Sequence, residues 1–83
     1  MEPDIADDVP WADGITAYDE GHLSIYLRLL DASADNASVE DMARIVFEID
    51  PVREPERARH VVESHLRRAR WMTETGYRHL LRQ

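Results

Sequence analysis

The sequence predicts an all-α fold: a small helical bundle containing an extended-turn helix-turn-helix variant, preceded by a disordered acidic arm. Three observations predict it. Apolar residues recur at three-and-four spacing along the stretches that follow residue 20. Serine, proline and glycine stand where those stretches would start and stop. Residues 1–19 are rich in Asp, Pro and Gly and fit no helical period. A chain of 83 residues makes one domain with a thin core, here read as a flexible arm over 1–19 and a helix-turn-helix-like domain over 20–83.

Composition narrows the function classes. There is no cysteine, which excludes a disulfide staple, a thiol nucleophile and a thiolate metal site. No apolar run approaches the roughly 20 residues of a membrane helix, and the opening Met1-Glu2-Pro3-Asp4 is unlike the basic start of a signal peptide, so a cytoplasmic protein with no membrane association is expected. The ten basic residues are all arginine and face seventeen acids, for a net charge of −7. Residues 1–50 hold thirteen of the acids and two arginines, net −11; residues 51–83 hold four acids and eight arginines, net +4. The acidic balance opposes generic attraction to a polyphosphate.

Within the arm, Trp11 is the lone tryptophan, and it either folds back on the domain or anchors a partner. The first helix is predicted from Glu20 to Ala32, with Leu23, Tyr26, Leu27, Leu30 and then Ala34 on its core face. Ile25, Leu29 and Ala32 form a second apolar stripe, so this helix is either sandwiched in the bundle or offers one side for docking. Ser38 is placed to cap a second helix, with Glu40 and Asp41 suited to its dipole and Val39, Met42, Ala43 and Val46 on one face. Pro51 stops it near Glu48 and leaves a proline-bounded connection, Ile49 to Glu54. The longest helix opens at Pro55 or Glu56 and reaches Thr75, with Gly76 suited to its cap. Ala58, Val61, Val62, Leu66, Ala69 and Met72 make its buried stripe, with His65 on the same side. A short helix from Tyr77 to Arg82 would return Tyr77, Leu80 and Leu81 to the core.

Little in the chain suits catalysis. His60 and His65 are five apart, whereas helical metal ligands share a face at three or four; His65 reads as a core-edge residue and His60 as solvated. The serines lack a nucleophile-elbow context, and no glycine-rich loop precedes a helix. Asp7-Asp8 and Glu40-Asp41 suit solvation and capping better than acid–base work. No enzyme activity, cofactor or metal is expected.

The informative order is short capped helix, turn, longer helix. In a helix-turn-helix the second helix enters the major groove, and here Arg53, Arg57 and Arg59 would meet DNA. The connection is longer than the usual three or four residues, and Glu54, Glu56 and Glu63 stand among those arginines, where they repel phosphate. On a helical wheel Trp71 points away from the buried stripe, beside Arg67 and Glu74. Either the arm or the C-terminal turn covers it, or it is an aromatic anchor beside arginines, the composition of a protein-interface hot spot.

Leu29-Leu30-Asp31-Ala32, the helix from Ser38 to Phe47, and the arginine-rich helix ending in Gly76-Tyr77-Arg78-His79-Leu80-Leu81 together resemble the bacterial RovC-type DNA-binding domain over residues 20–83. The resemblance implies a helix-turn-helix variant with an extended turn, found in transcriptional activators of mobile elements. The chain is most similar to stand-alone domains of this family that act as antiactivators of conjugative-element transfer. That similarity implies a protein that binds a transcriptional activator of the FseA type; the net charge of −7 and the glutamates at the helix entry depart from the family's positive face, so DNA binding is expected to be weak or absent, and a monomer is expected. Its partner-binding residues would be Ile25, Arg28, Leu29, Arg67 and Trp71. The alternative is a small DNA-binding regulator acting through Arg53, Arg57 and Arg59, and a third reading is an acidic DNA mimic using the arm.

Overall fold

The computed structural model describes residues 5–76, in which all the regular secondary structure is helical. Thr16 opens α1 (Ala17–Gly21) through a reciprocal capping box: its hydroxyl accepts the Asp19 N–H at 3.1 Å, and the Asp19 carboxylate accepts the Thr16 N–H at 2.9 Å. The helix breaks at His22 and resumes as α2 (Leu23–Ala34), so the single first helix expected from the sequence is two.

The buried face of α2 is rotated from the expected one: Tyr26 is buried and Leu30 packs on the core as expected, but the rest of the face shifts toward the second stripe. Tyr26 and Leu29 are buried, whereas Leu23 and Leu27 are exposed, Leu27 to 67%. Both sides of this helix are apolar, so periodicity alone does not choose between them. The inward side carries small Ala32, which packs on the core, and Ser33, which accepts a bond from Arg70 of α4. It also gives the Tyr26 hydroxyl a buried acceptor, the Asp19 carboxylate, at 2.7 Å.

Asn36, at φ 62°, ends α2 in the left-handed region that asparagine tolerates. The Ser38 hydroxyl then accepts the Asp41 N–H at 3.1 Å and opens α3 (Val39–Phe47), as its sequence position predicts. Glu48 closes α3 at φ 57°, and the N–H groups of Glu48 and Ile49 both donate to the Ala43 carbonyl. In the extended turn over 48–54, the Asp50 carboxylate accepts the Val52 N–H and the Asp50 carbonyl accepts the Glu54 N–H, each at 2.9 Å. Ile49 and Pro51 point inward. Pro55 occupies the first turn of α4 (Pro55–Trp71), where its missing N–H carries no penalty. The chain continues as a π-helical turn, Met72–Gly76, so regular α-helix stops four residues before the expected Thr75. The short helix expected at 77–82 lies outside the described residues.

Helices α2, α3 and α4 pack on one another around Leu29, Met42, Ala43, Val46, Ile49, Ala58, Val61, Val62 and Leu66. A second cluster joins Tyr26, Ala69 and Met72. The buried stripes expected of α3 and α4 are the observed ones. The N-terminal segment differs: Val9 is buried, Ile5 packs against the main core, and residues 5–16 run along the bundle as a strap instead of extending from it as an arm. Residues 1–4 lie outside the described residues. No described helix is long and apolar enough to cross a membrane.

Candidate functional site

The start of α4, the second helix of the helix-turn-helix pair, is the first place to look for a nucleic-acid interface. Arg53, Arg57 and Arg59 are all exposed there. Arg57 is engaged by two acids: its Nε donates to Asp7 Oδ1 at 3.0 Å, and its Nη1 lies 3.4 Å from Glu54 Oε1. The bond to Asp7 pushes the guanidinium pKa further up. One turn on, His60 Nε2 faces Asp8 Oδ1 at 3.5 Å. Arg53 and Arg59 make no ion pair among the described residues, and Glu56 and Glu63 stand exposed on the same helix. The surface that would face DNA is therefore a mixture of charges, with acids supplied by the strap as well as by the helix. Sequence reasoning found Glu54, Glu56 and Glu63 but missed Asp7 and Asp8, which reach Arg57 and His60 only through folding.

At the other end of α4, Arg68 organises a buried node. Its side chain and that of Asp19 are both 0% exposed, and they meet through Nη2 to Oδ2 at 2.6 Å and Nε to Oδ1 at 3.0 Å. Nη1 donates to the Ala12 carbonyl and Nη2 to the Gly14 carbonyl, each at 2.7 Å. The guanidinium carbon lies 3.9 Å from the Trp71 ring centre and 4.8 Å from that of Trp11, and the two indoles meet edge-on at 6.0 Å. Burial alone would raise the Asp19 carboxyl pKa, but the bonds from Arg68, the Thr16 N–H and the Tyr26 hydroxyl outweigh it and hold the pKa at about 2. Burial and the bond to Asp19 push the Tyr26 phenol up. Arg68 is thus the bolt between α4 and the strap.

A second buried contact pins α1 to the middle of α4. His65 Nδ1 donates to the Val61 carbonyl at 2.7 Å, which leaves Nε2 as acceptor for the Tyr18 hydroxyl at 2.5 Å. The Tyr18 oxygen in turn accepts the Ala6 N–H at 3.1 Å. Burial lowers the His65 pKa, consistent with a neutral imidazole in this chain of bonds. His22 stacks on Tyr18 at 3.7 Å and donates Nδ1–H to the Tyr18 carbonyl at 2.6 Å. His65 is thus fully buried, deeper than its expected core-edge position.

The five residues expected to bind a partner do not form one surface. Ile25 and Arg28 do come together, lining a groove between α2 and the end of α3 with Ile5, Ile45 and Phe47. Arg28 Nη2 donates to the Ile45 carbonyl at 2.9 Å, and the Ile45 side chain is 67% exposed. Leu29 is wholly buried in the main core and offers nothing to a partner, a correction that follows from the rotated face of α2. Arg67 is exposed on α4. Trp71 is half-buried against Arg68, with Trp11 beside it. The strap covers it, as one of the two sequence readings had it.

Among the described residues, no group of three or more His, Asp or Glu side chains could hold a metal ion. Comparison with curated proteins finds no match to the chain. Residues 5–82 match the family described as "T6SS, Transcription factor, DNA binding domain", the RovC DNA-binding domain. The match begins at the strap and not at residue 20, in agreement with the packing of residues 5–19 onto the helices. That family is a transcription-factor domain and not an enzyme class. With its strap, its three-helix core and its extended turn, the chain belongs to the RovC DNA-binding-domain family.

Proposed function

We propose that this chain regulates transcription from the cytoplasm as a QseM-like antiactivator: it binds a transcriptional activator of the FseA type through protein contacts and blocks activation of conjugative-transfer genes. The observation that carries the reading is the charge at the start of α4. Where a DNA-reading member needs free cations, Arg57 is paired with Asp7 and Glu54, His60 faces Asp8, and Glu56 and Glu63 stand alongside. A net charge of −7 adds long-range repulsion of a polyanion. The partner face proposed is the α2–α3 groove, where Ile25, Arg28 and the exposed Ile45 combine apolar area with an arginine.

A second reading, a small DNA-binding regulator, is favoured by family membership and by Arg53 and Arg59, which are exposed and in no described ion pair. A gel shift with promoter DNA across a salt series, run beside capture of the purified activator, separates the two. The antiactivator reading expects capture that is weakened by Ile45→Asp, with no salt-sensitive shift. A shift without capture would establish the DNA-binding regulator instead.

A further inference from the structure

We propose that Ile5–Asp8 is the releasable tip of the strap, covering the first two turns of α4 and keeping them closed to nucleic-acid phosphate. The strap is anchored unequally along its length. Its root is tight: Val9 is buried, and the Ala12 and Gly14 carbonyls accept from the buried guanidinium of Arg68. Pulling the root away would leave that cation short of acceptors, a costly change inside a protein.

The tip is held by contacts that water reaches. In the Asp7–Arg57 pair the two side chains are 61% and 42% exposed, and in the Asp8–His60 pair they are 74% and 59% exposed. Beyond these, the tip has the Ala6 N–H bond to Tyr18 and the packing of Ile5. Exposed ion pairs are weak and screened by salt. Val9 is buried and its backbone is restricted by the following Pro10, so the tightly held root begins at Val9 and the tip ends at Asp8.

What the tip covers points to the ligand it excludes. The Asp7 carboxylate meets Arg57 as a phosphate oxygen would, an anionic oxygen 3.0 Å from a guanidinium nitrogen. Lifting the tip frees Arg57 and His60 beside Arg53 and Arg59, four basic side chains within eight residues at the start of the second helix of the pair. The strap acts as a phosphate surrogate in cis. This inference rests on the reading that the resting chain does not bind DNA, and its test separates the two.

The test uses the full chain and a fluorescently labelled 20-base-pair duplex of arbitrary sequence, with binding followed by anisotropy across a sodium chloride series. Four proteins are compared: wild type, D7N/D8N, D31N/D35N and D7N/D8N/R57A, each with its fold checked by an amide-proton spectrum. The D31N/D35N protein makes the same charge change at the far end of the bundle, where α2 meets α4 near Arg70, roughly 20 Å along the helix from Arg57.

The strap inference expects D7N/D8N to bind at least about tenfold more tightly than wild type at low salt, with a salt dependence steeper by about one phosphate contact. D31N/D35N should gain less than about threefold, and Arg57→Ala should cancel the gain in the triple variant. Equal gains in the two double variants would reduce the effect to net charge and overturn the inference; so would no gain, or a gain that survives Arg57→Ala. If wild type binds the duplex as tightly as D7N/D8N, the covering role and the antiactivator reading both fall. Failure to capture the activator alongside an intact D7N/D8N effect sinks only the antiactivator reading.

Discussion

Asp19 and Arg68, 49 positions apart, form an ion pair with no solvent exposure on either side chain, and the same guanidinium also holds the Ala12 and Gly14 carbonyls. A pair of this kind is not a simple source of stability, because removing two charges from water costs much of what their attraction returns. Its asymmetry is what matters: either member without the other is a buried, uncompensated charge.

Arg68→Ala should therefore destabilise the domain by about 3–5 kcal/mol, the usual cost of breaking a buried pair from one side. A domain this small has on the order of 5 kcal/mol in total, so the variant should be largely unfolded at 25 °C by circular dichroism. Arg68→Lys should fare nearly as badly, because an ammonium cannot reproduce the planar fork or the stacking on Trp71 and Trp11. A lysine variant that melts within a few degrees of wild type would show that the fork is dispensable.

Acid should act through Asp19. Its folded pKa of about 2 lies below the unfolded value of 3.8, so its contribution is complete above about pH 4 and is lost as pH falls toward 2. The size is about 2 kcal/mol. Urea midpoints measured at pH 5, 3.5 and 2 should fall across this window in wild type. In Asp19→Asn the fall should be smaller, from a lower starting stability.

His65 sets a different window. Burial depresses its pKa below the ordinary imidazole value of 6.5, so the unfolded chain takes up this proton first. Stability linked to His65 is complete above about pH 6.5 and declines as pH drops beneath it. Protonating Nε2 also removes the acceptor that the Tyr18 hydroxyl uses. The imidazole resonances of His65 should titrate below those of an unfolded peptide. Replacing His65 by Gln should flatten the melting temperature between pH 7 and pH 5, and an unchanged slope would place the acid sensitivity elsewhere.

The rotated face of α2 yields a paired test. Leu29→Ala, in the main core, should cost about 2–5 kcal/mol. Leu27→Ala, exposed, should stay within about 0.5 kcal/mol of wild type. The opposite ranking would restore the orientation that periodicity favoured.

How much was legible in the sequence divides along physical lines. Helices α3 and α4 are readable because most of their apolar residues lie on one side, Ile45 and Trp71 apart, and because Ser38, Pro51 and Pro55 mark their ends in ways that depend on near neighbours alone. Helix α2 was readable as a helix but not in its orientation, since both of its sides are apolar. The strap was misread because Asp, Pro and Gly signal disorder when their partners are out of sight, and here the partners are Arg57, His60 and Arg68, some 50 residues on. Two local clues were present. Thr16 and Asp19 have capping-box spacing, and Arg68 shares the register of the buried Val61, His65 and Met72. Arginine is so seldom buried that the second clue is easily discounted. The candidate site was legible in its residue types but not in its pairing: the arginines at the start of α4 can be counted from the sequence, but their neutralisation by Asp7 and Asp8 cannot.

The Arg68 bolt also imposes an order on biosynthesis. Residues 5–19 leave the ribosome well before the guanidinium that receives them, and at about 5–20 residues per second the gap of 49 positions lasts several seconds. Throughout that interval the Asp19 carboxylate lacks its cation, the Ala12 and Gly14 carbonyls lack their donor, and Trp11 has no indole to meet. The strap therefore cannot dock on Arg68 until α4 has been made, although it precedes α4 in synthesis. A nascent chain arrested before Arg68 should be cleaved readily by protease near Trp11, whereas one released after α4 is complete should resist.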